Sequence, residues 1–313
     1  MNLTVKEAYI EYLKLVKLKQ KPQSYRSIKS RFENHILPYF ENKKLGELTT
    51  NNYIDWQLKI EEKCNRYEYK KALHYAFVTF LNYCMLFHGL DKNVGKMVGN
   101  FNDNYELKKK IEFWTCEEFN KFINIINEDI YKELFDFMFF TGCRLGEILA
   151  LTFNDFKEEL EKININKTIS KESFKGKRII TTPKTRSSIR TIDIDAYLCN
   201  KIKKLKTYYQ NKYSDFNNDF YIFGGIKALA PTTIERKKNK YCKLAKVKQI
   251  RLHDFRHSHA SILLDKKIPI LAIAQRLGHS DIATTLNTYA HLMPDEEKRV
   301  INTLTSLRLQ NTQ

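Results

Sequence analysis

The chain has 313 residues and carries 54 Lys and Arg against 36 Asp and Glu, a formal net charge of +18 at pH 7. This length favours two domains, and the basic excess favours nucleic acid or an anionic membrane surface as partner over a small neutral substrate. Six scattered cysteines argue against a disulfide framework or a zinc knuckle. Because the sequence has neither a signal pattern at its start nor an apolar run of membrane-spanning length, we expect a soluble cytoplasmic protein with no membrane partner.

The first hundred residues are predicted to form a small, basic, all-helical domain. Thr4 and Glu7 have the spacing of a capping box ahead of an amphipathic stretch. Three more helices are expected, which run from Pro22 to just before Pro38, from Tyr53 to Ile60 and from Tyr69 to His88. Between Gly89 and Lys110 the pattern dissolves into Gly, Asn and Asp, which is typical of a linker. We therefore expect a helical domain over residues 1–105 and a linker at 106–112.

Residues 113–313 are predicted to form a second domain with a small antiparallel sheet, so the fold class is α+β and mainly α. A capping box of Thr115 and Glu118 opens its first helix. Three runs between Lys162 and Asp195 have the residue pattern of strands, and the turn that joins the last two contains Lys184. The apolar stripe between Asp295 and Leu307 predicts a tail helix, for which a neighbouring subunit is the candidate packing partner.

Two helices carry candidate DNA-binding faces. An aromatic ring among cations suits a surface that grips phosphates, and a run of cations on one helix suits contact with the DNA backbone. An ordinary solvated face is the alternative for each. The candidate residues are Tyr25, Arg26 and Lys29 on the second predicted helix and Arg236, Lys237 and Lys240 on a later helix that Pro231 opens.

Four basic residues are candidates to hold a phosphate. Breaking a phosphodiester without a metal ion requires positioned cations around its non-bridging oxygens. Arginine suits this task because its planar fork donates two parallel hydrogen bonds. Each hydrogen bond to a charged group contributes about 1.5 to 3 kcal/mol. The candidates are Arg144, His253, Arg256 and His279.

The spacing of these residues suggests how they meet. His253 and Arg256 lie three residues apart, which places both on one face of a helix. His279 follows a glycine that ends a predicted helix, so the turn aims it back toward them. Arg144 lies between two glycines, which are predicted to let the backbone approach a ligand closely. Glu147, three residues further on, is the candidate to orient a cation.

Tyr289 is the candidate nucleophile. A phenol with a pKa of about 10 is about one part in a thousand ionised at pH 7, a deficit of about 4 kcal/mol that nearby cations and a histidine base would reduce. The leaving 5′-oxygen needs a proton donor, and Lys184 is the candidate acid, with Lys177 or Arg186 as alternatives. A tyrosyl phosphodiester retains the bond energy, so rejoining needs no nucleotide, and the sequence has no G-x-x-x-x-G-K-[ST] loop. We expect no cofactor and no metal.

The ordered set of these residues resembles the active site of the tyrosine recombinases, the phage integrase family. The resemblance covers about Thr115 to Met293, and residues 1–105 are more loosely similar to the family's helical core-binding domain. The matching motifs are T-G-C-R-L-G-E-I-L-A-L with Arg144, P-K-T-R-S-S-I-R with Lys184, H-D-F-R-H-S-H-A-S with His253 and Arg256, L-G-H-S with His279 and T-L-N-T-Y-A-H with Tyr289.

The resemblance implies a C-shaped clamp around double-stranded DNA recombination sites and a 3′-phosphotyrosyl intermediate on Tyr289. It also implies a homotetramer that exchanges strands through a Holliday junction, and a tail after Pro294 that docks on a neighbouring protomer. Accessory directionality or DNA-bending proteins are candidate partners. Because the chain begins directly at the helices that resemble the core-binding domain, we expect no amino-terminal arm-binding domain. It therefore resembles a simple Xer-type recombinase or a mobile-element integrase without that domain, and P-K-T with H-S-H-A-S is more similar to the latter.

Two other functions account for parts of the sequence. His253 and His257 have the spacing of a zinc pair, but Asp254 stands where the H-E-x-x-H motif of metal hydrolases has glutamate, and no third ligand is evident. A non-catalytic DNA-binding regulator on the same fold is the second alternative, although every catalytic residue type is present. We expect His257 and His259 to be structural, with nearby backbone as their partners.

Overall fold

The computed structural model describes residues 2–102, 112–174, 177–183, 185–289, 300–302, 304–306 and 308, without the side chains of 170–174, 177, 178 and 186. The fold is mainly helical, at 66%, with small antiparallel sheets, which confirms the predicted class. The chain divides into two compact units, Met1–Lys109 and Lys110–Gln313.

The amino-terminal unit is helical throughout its described part. Helix α1 begins as predicted, because the Thr4 hydroxyl accepts a hydrogen bond from the Glu7 amide while the Glu7 carboxylate accepts one from the Thr4 amide. The elements are α1 (Val5–Lys19), α2 (Pro22–Arg31), a π-helical turn (Phe32–Ile36), α3 (Leu37–Phe40), a 3-10 turn (Leu45–Glu47), α4 (Thr50–Lys63), α5 (Tyr67–His88) and α6 (Val94–Val98).

Helix α5 forms the centre of this unit. The apolar stripe predicted for it is confirmed, since all its members are fully buried, namely Leu73, Phe77, Phe80, Leu81 and Cys84. Phe77 stacks on Tyr53 of α4 with ring centroids 5.3 Å apart. Burial of one such side chain stabilises the fold by roughly 1.5 to 3 kcal/mol.

Two features of this unit differ from the sequence prediction. Pro38 does not end the second helical stretch, because it lies in the first turn of α3, where its missing N–H breaks no hydrogen bond. The predicted linker stretch from Gly89 to Lys110 contains helix α6, which Asn93 caps. Gly95 of α6 packs so closely that an added Cβ would lie 2.9 Å from the rings and methyls of its neighbours.

The carboxy-terminal unit combines helices with two small sheets. Thr115 caps its first helix as predicted. Its helices and strands are α7 (Cys116–Asn124), α8 (Asp129–Thr141), α9 (Leu145–Ala150), β1 (Phe156–Lys157), β2 (Lys162–Ile165), β3 (Thr168–Phe174), β4 (Lys177–Thr181), β5 (Arg190–Asp193), α10 (Ala196–Lys212), α11 (Pro231–Ala245), α12 (Asp254–Asp265), α13 (Ile270–Leu277) and α14 (Ile282–Tyr289). Its 3-10 turns are Phe153–Asp155, Glu158–Leu160 and Arg186–Ser188.

The strand pairing differs from the prediction. Strands β1, β2 and β5 form one antiparallel sheet in that order, and β3 pairs with β4 in a second sheet. The expected hairpin between the last two strands is therefore wrong. Ile163 and Ile192 lie opposite each other on the buried face of the first sheet, and this shared apolar face selects β2 as the partner of β5.

Helix α12 is anchored in the core of this unit by Phe255, which is fully buried and stacks on Phe135 of α8. Helix α12 is thereby packed against α8. In the predicted tail helix, the described positions 300–302 and 304–306 are helical, and the rest of that prediction lies outside the described residues.

Candidate active site

Arg256 joins two turns that are far apart in sequence. Its guanidinium donates to the carbonyl of Gly142, at the end of α8, over 2.9 Å and to the carbonyl of Leu277, at the end of α13, over 2.7 Å. The residue is only 3% exposed. Burial, and then repulsion from Arg144, lowers the pKa of Arg256 to about 10, so it remains cationic at pH 7. Arg144 and His279 each follow one of these two turns by two residues.

Arg144 and Arg190 share the carboxylate of Glu147. Arg144 Nη1 lies 2.8 Å from Glu147 Oε1, and Arg190 Nη2 lies 3.0 Å from Oε2. The Arg144 amide also donates to this carboxylate, which caps α9. Burial alone would raise the pKa of Glu147, but the two guanidiniums lower it overall. Glu147 therefore stays ionised and orients Arg144, whose side chain is 37% exposed and can reach a ligand.

Arg190 is a site residue that the sequence reasoning missed. Its Nε donates to the carbonyl of Arg276 over 2.8 Å, and its Nη1 donates to the carbonyl of Ser188. It also lies against Gly278, where an added Cβ would be 3.0 Å from Nη1. A signal was present, because Arg190 and Ile192 lie on the same face of β5, and a charge on a buried face needs a partner.

The glycines that flank Arg144 make room for neighbouring protein atoms. A Cβ on Gly142, whose φ is +63°, would lie 2.6 Å from the ring of His259. A Cβ on Gly146 would lie 2.6 Å from Thr168 Oγ1 of β3. Internal packing therefore accounts for both glycines, and the close approach of a ligand to this backbone stays a prediction.

The charges of Arg256 and Arg144 affect both His253 and His279. His253 is the N-cap residue of α12, and partial burial, followed by the charge of Arg256, lowers its pKa. His279 follows the left-handed Gly278, as predicted, and its Nδ1 lies 2.6 Å from Thr285 Oγ1. Burial and then Arg256 lower the pKa of His279 to about 4. His279 is thus neutral at pH 7 in the free protein, and an anion at this site favours its protonation.

Tyr289 ends α14 with its side chain almost fully buried, at 1% exposure. Its hydroxyl lies 2.6 Å from Nδ1 of His257, and burial raises its pKa. The prediction that His257 is held by backbone is wrong, since its partner is this hydroxyl. His259 agrees with the prediction, because its Nδ1 lies 2.9 Å from the carbonyl of Phe139.

The predicted acid, Lys184, lies outside the described residues, as does any contact it makes. Lys177 and Arg186, the alternatives, are described for backbone only. Lys177 is the first residue of β4, whereas positions 184 and 186 belong to the segment between β4 and β5. In that segment the hydroxyls of Thr185 and Ser188 share a hydrogen bond of 2.9 Å.

The predicted DNA-binding residues of α2 differ in how exposed their side chains are. Lys29 has a side chain 44% exposed, with Glu33 at 3.6 Å. Arg26 is exposed, whereas Tyr25 is half-buried and packs against the core of the amino-terminal unit.

On α11 the predicted residues separate into two groups. Arg236 and Lys240 are exposed and line one groove together with Lys243. Lys237 instead makes an ion pair with Glu128, with both carboxylate oxygens within 2.8 Å of its Nζ. This ion pair occupies the ammonium that was expected to contact DNA.

Two features are absent from the described ranges of the chain. No helix in them combines the length and apolar character that a membrane span requires. In the same ranges, no group of three or more His, Cys, Asp or Glu side chains is placed to hold a metal ion.

The sequence matches two family profiles. Residues 112–296 match the phage integrase family, and residues 4–60 match the phage integrase N-terminal SAM-like domain. The ICEBs1 integrase of Bacillus subtilis is 30% identical over 307 residues, which cover 95% of this chain and 81% of that protein. A protein named tyrosine recombinase XerC-like from Caldanaerobacter subterraneus is 26% identical, over 94% of this chain and 80% of that protein.

Solved structures of integrases share the fold. The Tn1549 transposon integrase in complex with a circular intermediate DNA superposes with a TM-score of 0.76 at 18% identity, covering 96% of this chain and 99% of that one. A lambda integrase from a tetramer bound to a Holliday junction superposes with a TM-score of 0.62 at 14% identity, covering 89% of this chain and 78% of that one.

The fold and the profile that covers most of the carboxy-terminal unit define a class of enzyme that recombines DNA at specific sites. The chain belongs to the phage integrase family and is a tyrosine recombinase of the mobile-element or Xer type. The expected resemblance is thereby confirmed.

Proposed function

We propose that this recombinase cuts DNA by transferring a 3′-phosphate to Tyr289, with Arg144, Arg256, His253 and His279 as the groups that hold the phosphate. One observation carries the proposal: the Arg256 guanidinium binds the main chain of both turns that precede Arg144 and His279. Three segments distant in sequence are thereby joined, and Tyr289 contacts the same helix, α12. Such fixed cations stabilise the charge of the five-coordinate phosphorus in the transition state without a metal ion.

The reaction needs no cofactor, because each bond that forms replaces one that breaks. The Tyr289 oxygen attacks phosphorus, a phosphotyrosyl bond forms, and the bond from phosphorus to the 5′-oxygen breaks. The phenol proton passes to a base, and the departing 5′-oxygen receives a proton, for which Lys184 is the proposed donor. A 5′-hydroxyl from another strand then reverses these steps. One phosphodiester replaces another, so no ATP is consumed.

We also propose which partners the enzyme has and in which compartment it acts. Double-stranded recombination sites are the substrate, and the exposed Arg236 and Lys240 of α11, with Arg26 and Lys29 of α2, contact its phosphates. A homotetramer assembles on synaptic DNA, as the tetramer of lambda integrase on a Holliday junction suggests, and accessory directionality or bending proteins guide it. The six free cysteines suit the reducing cytoplasm, where we propose that the enzyme acts.

A nicked suicide duplex tests the proposal. It carries the recombination junction of the genetic element that encodes the chain, and its short 5′ fragment diffuses away after cleavage. We expect a covalent protein–DNA adduct that survives denaturation, forms equally in EDTA and is absent with Tyr289→Phe. Recombination without an adduct, or an adduct that persists in Tyr289→Phe, would contradict the proposal. Binding without cleavage would instead favour a non-catalytic regulator.

A further inference from the structure

The hydroxyl of Tyr289 is held by one defined neighbour. His257 Nδ1 lies 2.6 Å from it, and the two rings meet edge to face with centroids 5.7 Å apart. His257 lies one helical turn after His253 and directly after Arg256 on α12, whereas Tyr289 is the last residue of α14. The contact therefore joins the proposed nucleophile to the helix that supplies two of the phosphate-binding groups.

The other histidines of this region have different partners. His279 Nδ1 lies against the Thr285 hydroxyl, and His259 Nδ1 lies against the Phe139 carbonyl. The ring of His253 is 5.2 Å from that of His257, centroid to centroid, and perpendicular to it. Among the described residues, His257 is thus the histidine in hydrogen-bond contact with the Tyr289 oxygen.

The surroundings of His257 keep its ring neutral in the free protein. Burial first, and then His253, Arg251 and Arg256, lower its pKa to about 4 against the opposing effect of Asp254. With the proton of the neutral ring on Nε2, the phenol donates its hydrogen bond to Nδ1. A phosphate bound by Arg256 adds negative charge beside the ring, which makes Nδ1 more basic when the reaction begins.

We propose that His257 is the general base of the cleavage step, an inference that rests on the proposed function of Tyr289. As the bond between the Tyr289 oxygen and phosphorus forms, the phenol proton moves to His257 Nδ1 and the electron pair of its O–H bond becomes the new O–P bond. The bond to the 5′-oxygen breaks in the same step. During rejoining, the His257 imidazolium returns this proton to the departing phenolate.

The pH dependence of two variants tests the role. In His257→Asn an amide oxygen can still accept the hydrogen bond of the phenol, but it cannot take up the proton. We expect adduct formation on the nicked suicide duplex to slow by about 10²-fold at pH 7. The deficit should shrink by about tenfold per pH unit between pH 7 and 9, because the phenolate fraction grows in that proportion below its pKa. In His257→Gly, added imidazole should restore the rate.

A matched control is available in the amino-terminal unit. His74 Nδ1 lies 2.9 Å from the hydroxyl of buried Tyr53. His74→Asn therefore makes the same change in a histidine–tyrosine pair that has no proposed catalytic role, and it should leave the rate and its pH dependence unaltered. A deficit in His257→Asn that is constant with pH would show a structural role, and faster cleavage would show a restraining one. Either result overturns the inference. If the unmodified enzyme forms no adduct, the proposed function itself fails.

Discussion

The cations of the candidate site and the cations of α11 are held in opposite ways. Arg256 is 3% exposed and bound to two main-chain carbonyls, and the side chain of Arg190 is 8% exposed and bound to a carboxylate and two carbonyls. Arg236 and Lys240 lie exposed on one side of α11. Both regions are proposed to meet the phosphates of the same DNA.

The difference follows from what each region has to do. A buried charge loses its hydration, so it is stable only where neighbouring groups replace the water. Those neighbours fix its position, which transition-state stabilisation requires. An exposed charge keeps its hydration and its mobility, and it acts by displacing counterions from DNA. Substitution of a buried cation should therefore slow the reaction itself. Substitution of an exposed cation should instead change how DNA binding depends on salt.

Arg256→Ala should produce the largest effect. It removes a positioned donor and leaves the carbonyls of Gly142 and Leu277 without their partner. We expect adduct formation to slow by about 10²- to 10³-fold. Single-turnover cleavage of the suicide duplex measures the rate, and thermal unfolding shows what fraction of the variant is folded.

Arg276→Lys is the control for this prediction. Arg276 also donates to main-chain carbonyls, those of Asp193 and Phe140, but it has no proposed role with phosphate. We expect it to change stability while the folded fraction cleaves at an unaltered rate. If the two variants slowed cleavage equally, Arg256 would act through the fold and not through the phosphate.

Glu147→Gln should have a smaller effect on the site and a clear one on stability. The change leaves the guanidiniums of Arg144 and Arg190 without their shared carboxylate, at a cost of about 3 kcal/mol. The pKa of Glu147 is below 4.5 in the folded chain. Its contribution is therefore fully present above pH 4.5 and is lost as pH falls through the folded-state pKa.

Urea unfolding at several pH values measures this. The difference in the free energy of unfolding between the unmodified chain and Glu147→Gln should be constant from pH 5 to 7 and shrink below pH 4.5. Glu128→Gln, which alters a more exposed ion pair with Lys237, should cost less than about 1 kcal/mol. A difference that grew as pH fell would refute the assigned role of Glu147.

Features that depend on neighbouring residues could be predicted from the sequence. The capping boxes of Thr4 and Thr115 and the buried stripe of α5 follow from spacings of three and four residues, which a helix fixes geometrically. The turn that carries His279 was predicted for the same reason, since Gly278 takes the left-handed conformation that ends α13.

Features that depend on distant pairing could not be predicted in this way. Strands β4 and β5 have strand-like sequences next to each other, yet each pairs with another strand, because the buried faces decide the partner. The contact of His257 with Tyr289 and that of Arg190 with Glu147 join residues 32 and 43 positions apart. Nothing in the local sequence selects these partners until the helices and strands are packed.

The smallest effect is expected on α11, where salt dependence separates its cations. Each of Arg236→Ala and Lys240→Ala should weaken binding to a 30-base-pair duplex by less than about tenfold at 0.1 M NaCl and reduce the slope of log affinity against log salt by about 1. Lys237→Ala on the same helix is the matched control. Its ammonium is already bound to Glu128, so the slope should not change. An equal loss of slope in all three would mean that DNA displaces Glu128, and that burial and pairing do not decide which cations of this helix meet phosphate.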